Sequence, residues 1–211
     1  MEKKENLMEY SRDVFIQQMM DIDPNGIYHN RCIKNLTRMG APITDWSCAI
    51  VRDVRKDNNN APLMSCEVCG CPRVRFVHEM QHKDYPLTLY VGCICAGVIE
   101  GDVLAAAERE NVLRKRAERK KYFLKKTWNS HFIADKVIEY KGHIIYAVGK
   151  TDGTDGEEGI AGLITHYSVG IDGEYTIDEY NGMPIGNLRT AKCAAFDMIE
   201  ATSDGDKGLK Q

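Results

Sequence analysis

The segment Cys66-Glu67-Val68-Cys69-Gly70, read together with Cys93-Ile94-Cys95, decides how this chain folds. A Cys-x-x-Cys-Gly turn sets two thiolates on one side of a tight bend and leaves backbone N–H groups to support the sulfurs. Between the two cysteine groups, residues 74–80 and 87–92 are rich in β formers and are separated by a turn over 81–86, which predicts a β-hairpin. Antiparallel pairing returns Cys93 and Cys95 beside Cys66 and Cys69. The pattern predicts a closed tetrathiolate Zn2+ site with ligands Cys66, Cys69, Cys93 and Cys95. The second pair is Cys-x-Cys, a departure from the commonest ribbon, and Cys71 stays open as a replacement for Cys95 or Cys69. Four thiolates leave no coordination position free. The ion is therefore expected to hold the fold rather than act as a Lewis acid, and its removal to unfold the ribbon.

Working outward, residues 46–54 alternate and read as a strand, and 57–62 as a loop. Upstream, 5–20 and 27–39 are expected to be helical, the second ending at Gly40-Ala41-Pro42. Downstream, Asp102 is a fitting cap for a long helix reaching to about residue 128. Beyond it, 136–140 and 143–148 read as a hairpin about Lys141-Gly142, and 159–169 and 175–180 as further strands. Gly/Asp-rich turns over 152–156 and at Asp172-Gly173 separate them, and Thr190 is expected to cap a helix over 191–199. The predicted class is α+β: a helical segment (1–44), a zinc-ribbon-like domain (45–101), a basic connecting helix (102–128), a small antiparallel sheet with one helix (129–200) and a disordered tail (201–211).

Composition narrows the setting. The 211 residues carry a formal charge of −3, so no global pull toward nucleic acid or lipid exists. The charged N-terminus has no apolar region behind it, and the nine-residue stretch 91–99 is the longest apolar run, far below the ~20 residues a bilayer needs. A cytoplasmic protein without a membrane partner is expected. Eight cysteines in a reducing compartment argue for metal ligands over disulfides. Cys32, Cys48 and Cys193 stand apart and read as small buried apolar residues.

Charge is split along the chain. Residues 108–126 hold nine cations against three acids. Arg114, Lys115, Arg116, Arg119, Lys120, Lys121 and Lys125 form the expected nucleic-acid-binding face, since dense cations displace condensed counterions from phosphates. Tyr122 and Phe123 add a chance of base stacking. A solvated connector is the competing reading. Residues 151–211 hold twelve acids and four cations. This acidic surface reads as solvated, with masking of the basic helix or mimicry of nucleic acid as the alternatives. His78 shares a face with Val74 and Phe76 and reads as a packing histidine, while His82 near the turn is expected to be exposed. His78-Glu79 beside cysteines resembles nucleases of the His-metal-finger type, but Asn111, the remaining candidate partner, is badly placed for that chemistry. No catalytic residue is assigned.

A family likeness follows from these residues. Trp46-Ser47-Cys48, Val51, Asp53, Cys66-x-x-Cys69-Gly70, Arg75-Phe76-Val77-His78, His82, Tyr85-Pro86 and Val91-Gly92-Cys93-Ile94-Cys95-Ala96-Gly97 resemble zinc-ribbon-like proteins of bacteriophages and bacterial mobile elements. Trp128 and Thr190-Ala191-Lys192-Cys193-Ala194-Ala195-Phe196-Asp197 extend the resemblance, which covers residues 45–199. It implies a metal site and the cytoplasm of a bacterial host, and it implies no activity. The position of Cys71 is usually polar in that group, which supports the other four cysteines as ligands. The functional expectation is a zinc-binding accessory protein that binds DNA or RNA. The alternative is a phage-encoded protein that binds and inhibits a host defence protein, and a metal-dependent nuclease ranks third.

Overall fold

The computed structural model describes residues 27–130, 135–150, 164–173 and 175–205. The helix expected over 5–20, the turn over 152–156 and residues 206–211 of the tail lie outside the described residues. The chain divides into two compact units, Met1–Ala117 and Glu118–Gln211. Both combine helices with small antiparallel sheets, so the class is α+β.

In the first unit, α1 (Ile27–Met39) ends at Gly40, whose φ of +68° is the left-handed conformation that closes many helices. Strands β1 (Ser47–Asp53), β2 (Phe76–His82) and β3 (Tyr85–Val91) form a sheet in that order. Pro86 is tolerated because β3 is an edge strand with no ladder bond required on its outer side. β2 is central, and Phe76–Met80 are all buried, His78 and Glu79 among them. Leu36, Trp46, Val77, Met80, Leu89, Val91, Ala96 and Ile99 make the core. Each large side chain fully withdrawn from water here contributes about 1.5–3 kcal/mol.

After β3 the chain enters a helix, α2 (Cys93–Glu100), where a second cysteine knuckle was expected. The run Cys-Ile-Cys-Ala-Gly-Val-Ile-Glu has no proline to stop it and an apolar face that packs against β2 and α1. Gly97 is required there: a Cβ would lie 2.6 Å from the Cα of Val103, at the start of α3 (Val103–Lys125). Asp102 caps α3 as expected, its Oδ1 accepting the Ala105 N–H at 2.8 Å.

Residues 118–125 of α3 belong to the second unit. The helix ends before Trp128, and there Lys192 Nζ donates to the carbonyls of Leu124 (3.5 Å) and Lys126 (2.6 Å), satisfying acceptors that the last turn leaves without an N–H. β4 (Lys136–Tyr140), β5 (His143–Lys150), β6 (His166–Ile171) and β7 (Tyr175–Ile177) form a four-stranded antiparallel sheet in chain order. The β4–β5 turn is Lys141-Gly142 as expected, with φ of +54° and +83°. The strand expected over 175–180 breaks at Asp178, whose carboxylate accepts Ser168 Oγ at 2.5 Å and Lys150 Nζ at 3.0 Å. A short ribbon, β8 (Glu179–Tyr180) and β9 (Met183–Pro184), then turns at Asn181-Gly182. The final helix, α4 (Leu188–Gly205), starts earlier than expected and runs longer. Asn187 caps it in place of Thr190, its Oδ1 accepting the Thr190 N–H at 2.9 Å. Phe123, Trp128, Ile145, Val169, Ile185, Phe196 and Ile199 form this unit's own core.

Candidate metal centre

The knuckle is built by backbone geometry. Gly70 sits at φ +73°, and its N–H donates to the Cys66 carbonyl at 2.8 Å. Cys66 N–H donates to the Cys71 carbonyl at 2.8 Å, closing the bend. Glu67 ties it to β3: its N–H donates to the Tyr90 carbonyl (3.0 Å) and its carboxylate accepts the Tyr90 N–H (2.7 Å). The hairpin returns the start of α2 to the same place.

There the sulfurs of Cys66, Cys69 and Cys95 lie within 4.8 Å of one another, a group able to hold a metal ion. The Cys66 thiol is lowered to about 5, chiefly by a hydrogen bond from Cys95, with help from the backbone N–H groups of Cys69 and Gly92. Such a sulfur is ready as a thiolate ligand. Cys95 is held well above the usual thiol range by its side-chain hydrogen bonds with Cys32 and Cys66 and by burial.

Cys93 does not join this group. On an α-helix positions i and i+2 are about 200° apart, so a Cys-x-Cys at the start of a helix points its sulfurs to opposite faces. Cys95 faces the knuckle. Cys93 faces β2 and α3, where its sulfur lies within 4.8 Å of donor atoms of His78 and Glu110. Burial, and then the Glu110 carboxylate, push the Cys93 thiol up to about 12. Cys71 is exposed and lies outside both groups.

The thiol that spacing missed is Cys32. It is fully buried on α1, and its Sγ is 3.4 Å from that of Cys95, 63 residues along the chain. Asn35 holds α1 in place by donating to the Val68 carbonyl of the knuckle at 2.7 Å. The sole sequence hint was the inward pairing of Cys32 with Leu36, one helical turn on. His82 is half-buried, its ring 5.4 Å from that of Trp46, and not fully exposed as expected.

The seven cations expected on the basic helix divide. Arg114 pairs with Glu110, and its guanidinium lies 5.3 Å from the Phe76 ring centroid. In the second unit Arg119 pairs with Glu200, and Lys120 is buried with its Nζ 3.0 Å from Asp197. Burial pushes the Glu200 carboxyl up, but Arg119 and Lys141 outweigh it and hold it below the usual carboxylate range. Lys115 and Arg116 are half-buried, and Lys121 and Lys125 are exposed. Tyr122 is 68% exposed, whereas Phe123 is fully buried and unable to stack on a base. Lys120→Ala is expected to cost about 3 kcal/mol, since it leaves Asp197 without its cation in a largely dry site. Urea unfolding of the variant measures this, and a loss under about 1 kcal/mol would show that the pair is dispensable.

No family model, no curated protein and no solved structure matches the chain. Among the described residues no helix is long and apolar enough to cross a membrane.

Proposed function

We propose that this chain is a zinc-organised nucleic-acid-binding protein whose first unit is a zinc-ribbon-like module. Cys66, Cys69 and Cys95 are the thiolates of the ion and Cys32 is the fourth, in place of Cys93. The chemistry of the donors supports this reading. Cys32 stands outside the three sulfurs that lie within 4.8 Å of one another, but its 3.4 Å from Cys95 is close to the roughly 3.8 Å between two sulfurs on a tetrahedral zinc. A four-thiolate set is closed, so the ion locks α1, the knuckle and α2 together and does no chemistry.

The binding role rests on one observation. α1 carries Arg31, Lys34 and Arg38 in exposed positions and contains no carboxylate. These three recur at i, i+3 and i+7, one face of a helix, turned away from Cys32 and Leu36. A stripe of this kind suits a phosphate backbone. Lys121 and Lys125, exposed in the second unit, are a separate cationic surface, in line with the sequence expectation.

Labelled single- and double-stranded DNA and RNA, titrated with the zinc-loaded protein over a salt series, test the proposal. Binding is expected to weaken steeply with salt. Arg31→Glu, Lys34→Glu and Arg38→Glu together are expected to lower affinity more than tenfold on every probe and to flatten the salt slope by about 3. Absence of binding at low salt would end the reading.

A further inference from the structure

Three elements distant in sequence converge on the second group of donors. β2 brings His78, the first turn of α2 brings Cys93, and α3 brings Glu110. His78 is fully buried, and among the described residues its Nε2 has no hydrogen-bond partner. That nitrogen points toward Glu110 Oε2 at 3.8 Å, too far for a hydrogen bond. Two donors bound to one tetrahedral ion at about 2.0–2.2 Å stand roughly 3.4 Å apart, so a small closure of this gap accommodates a cation between them.

We propose that His78, Cys93 and Glu110 form a second metal site, distinct from the thiolate site and suited to a borderline divalent cation of the zinc or cobalt type. The donor set is one imidazole nitrogen, one sulfur and one carboxylate oxygen. Sulfur and imidazole select against magnesium and calcium, which take oxygen. Neighbours orient the ligands. Arg114 holds the other oxygen of Glu110, and Cys48 Sγ lies 3.9 Å from His78 Nδ1. Three protein donors leave one position of a tetrahedron open. The two cysteines at the start of α2 thus serve two ions, one on each face of the helix.

The test is a Co2+ titration of the metal-free full chain, with native mass spectrometry for stoichiometry and the visible spectrum for ligand type. Wild-type protein is expected to take two equivalents. Glu110→Gln and Cys93→Ser are each expected to take one, to keep the intense sulfur-to-cobalt absorption of the thiolate site and to retain wild-type circular dichroism. Using both variants guards against one failing to fold. Two equivalents in both folded variants would overturn the second site. A single equivalent in wild type would overturn it while leaving the thiolate reading standing, and no uptake at all would overturn both.

Discussion

With zinc on the thiolates as proposed, stripping the ion is expected to unfold the described part of the first unit while the second keeps its fold. The two hydrophobic cores share no residue: one runs from Cys32 to Ala106 and the other from Phe123 to Ile199. The sulfurs belong to the first alone. Structural zinc contributes about 10–16 kcal/mol of apparent binding free energy in small metal-held peptides, as much as or more than the roughly 5–15 kcal/mol that stabilises an entire domain. Its loss also leaves buried thiols in contact and frees the Gly70 bend. The double variant Cys66→Ser, Cys95→Ser is expected to behave as the chelated protein does. The chain has two tryptophans, Trp46 in the first unit and Trp128 in the second. Trp46→Phe and Trp128→Phe therefore give one fluorescence reporter per unit. After chelation the Trp46 signal is expected to move to that of an exposed indole while the Trp128 signal holds. An unchanged Trp46 signal after complete metal removal would sink the structural role of the ion.

The second large effect is at Phe123. Phe123→Ala is expected to destabilise the second unit by about 3–5 kcal/mol. Its ring is fully buried, with centroids 4.8 Å from Tyr140, 5.7 Å from Phe196 and 6.1 Å from Trp128. Removing it opens a cavity at the point where α3, α4 and the sheet meet. The neighbouring Tyr122→Ala, on an exposed side chain, is expected to change stability by no more than about 0.5 kcal/mol. Urea unfolding followed by Trp128 fluorescence separates the two. A loss below about 1 kcal/mol at Phe123 would show that the core closes over the gap. The pair also bears on binding assays, because lost affinity in a Phe123 variant reports unfolding and in a Tyr122 variant reports contact.

Much of the local structure was legible. α1 runs over 27–39 as expected, ending at the Gly40-Ala41-Pro42 stop. Asp102 begins α3 because its carboxylate satisfies a free N–H of the first turn. Lys141-Gly142 turns the β4–β5 hairpin because both positions take positive φ. Asn181-Gly182 carries the same signal, and it turns the β8–β9 ribbon beyond the strand expected over 175–180. These features depend on residues within a few positions of one another, and spacing encodes them directly.

The cysteine partners are another matter. Spacing singled out Cys66 and Cys69, which meet in a local bend. It grouped Cys93 with Cys95 because it took the segment as an extended knuckle. Once α2 forms, the helical pitch sends those two sulfurs apart, and the tertiary fold decides that Cys95 meets Cys66, Cys69 and Cys32 while Cys93 meets His78 and Glu110. The cations of α3 divide for the same reason. Their density was visible in the chain, but the carboxylates that take Arg119 and Lys120 lie 81 and 77 residues away. Periodicity records which face a residue occupies, and only the packing of distant elements settles what that face meets.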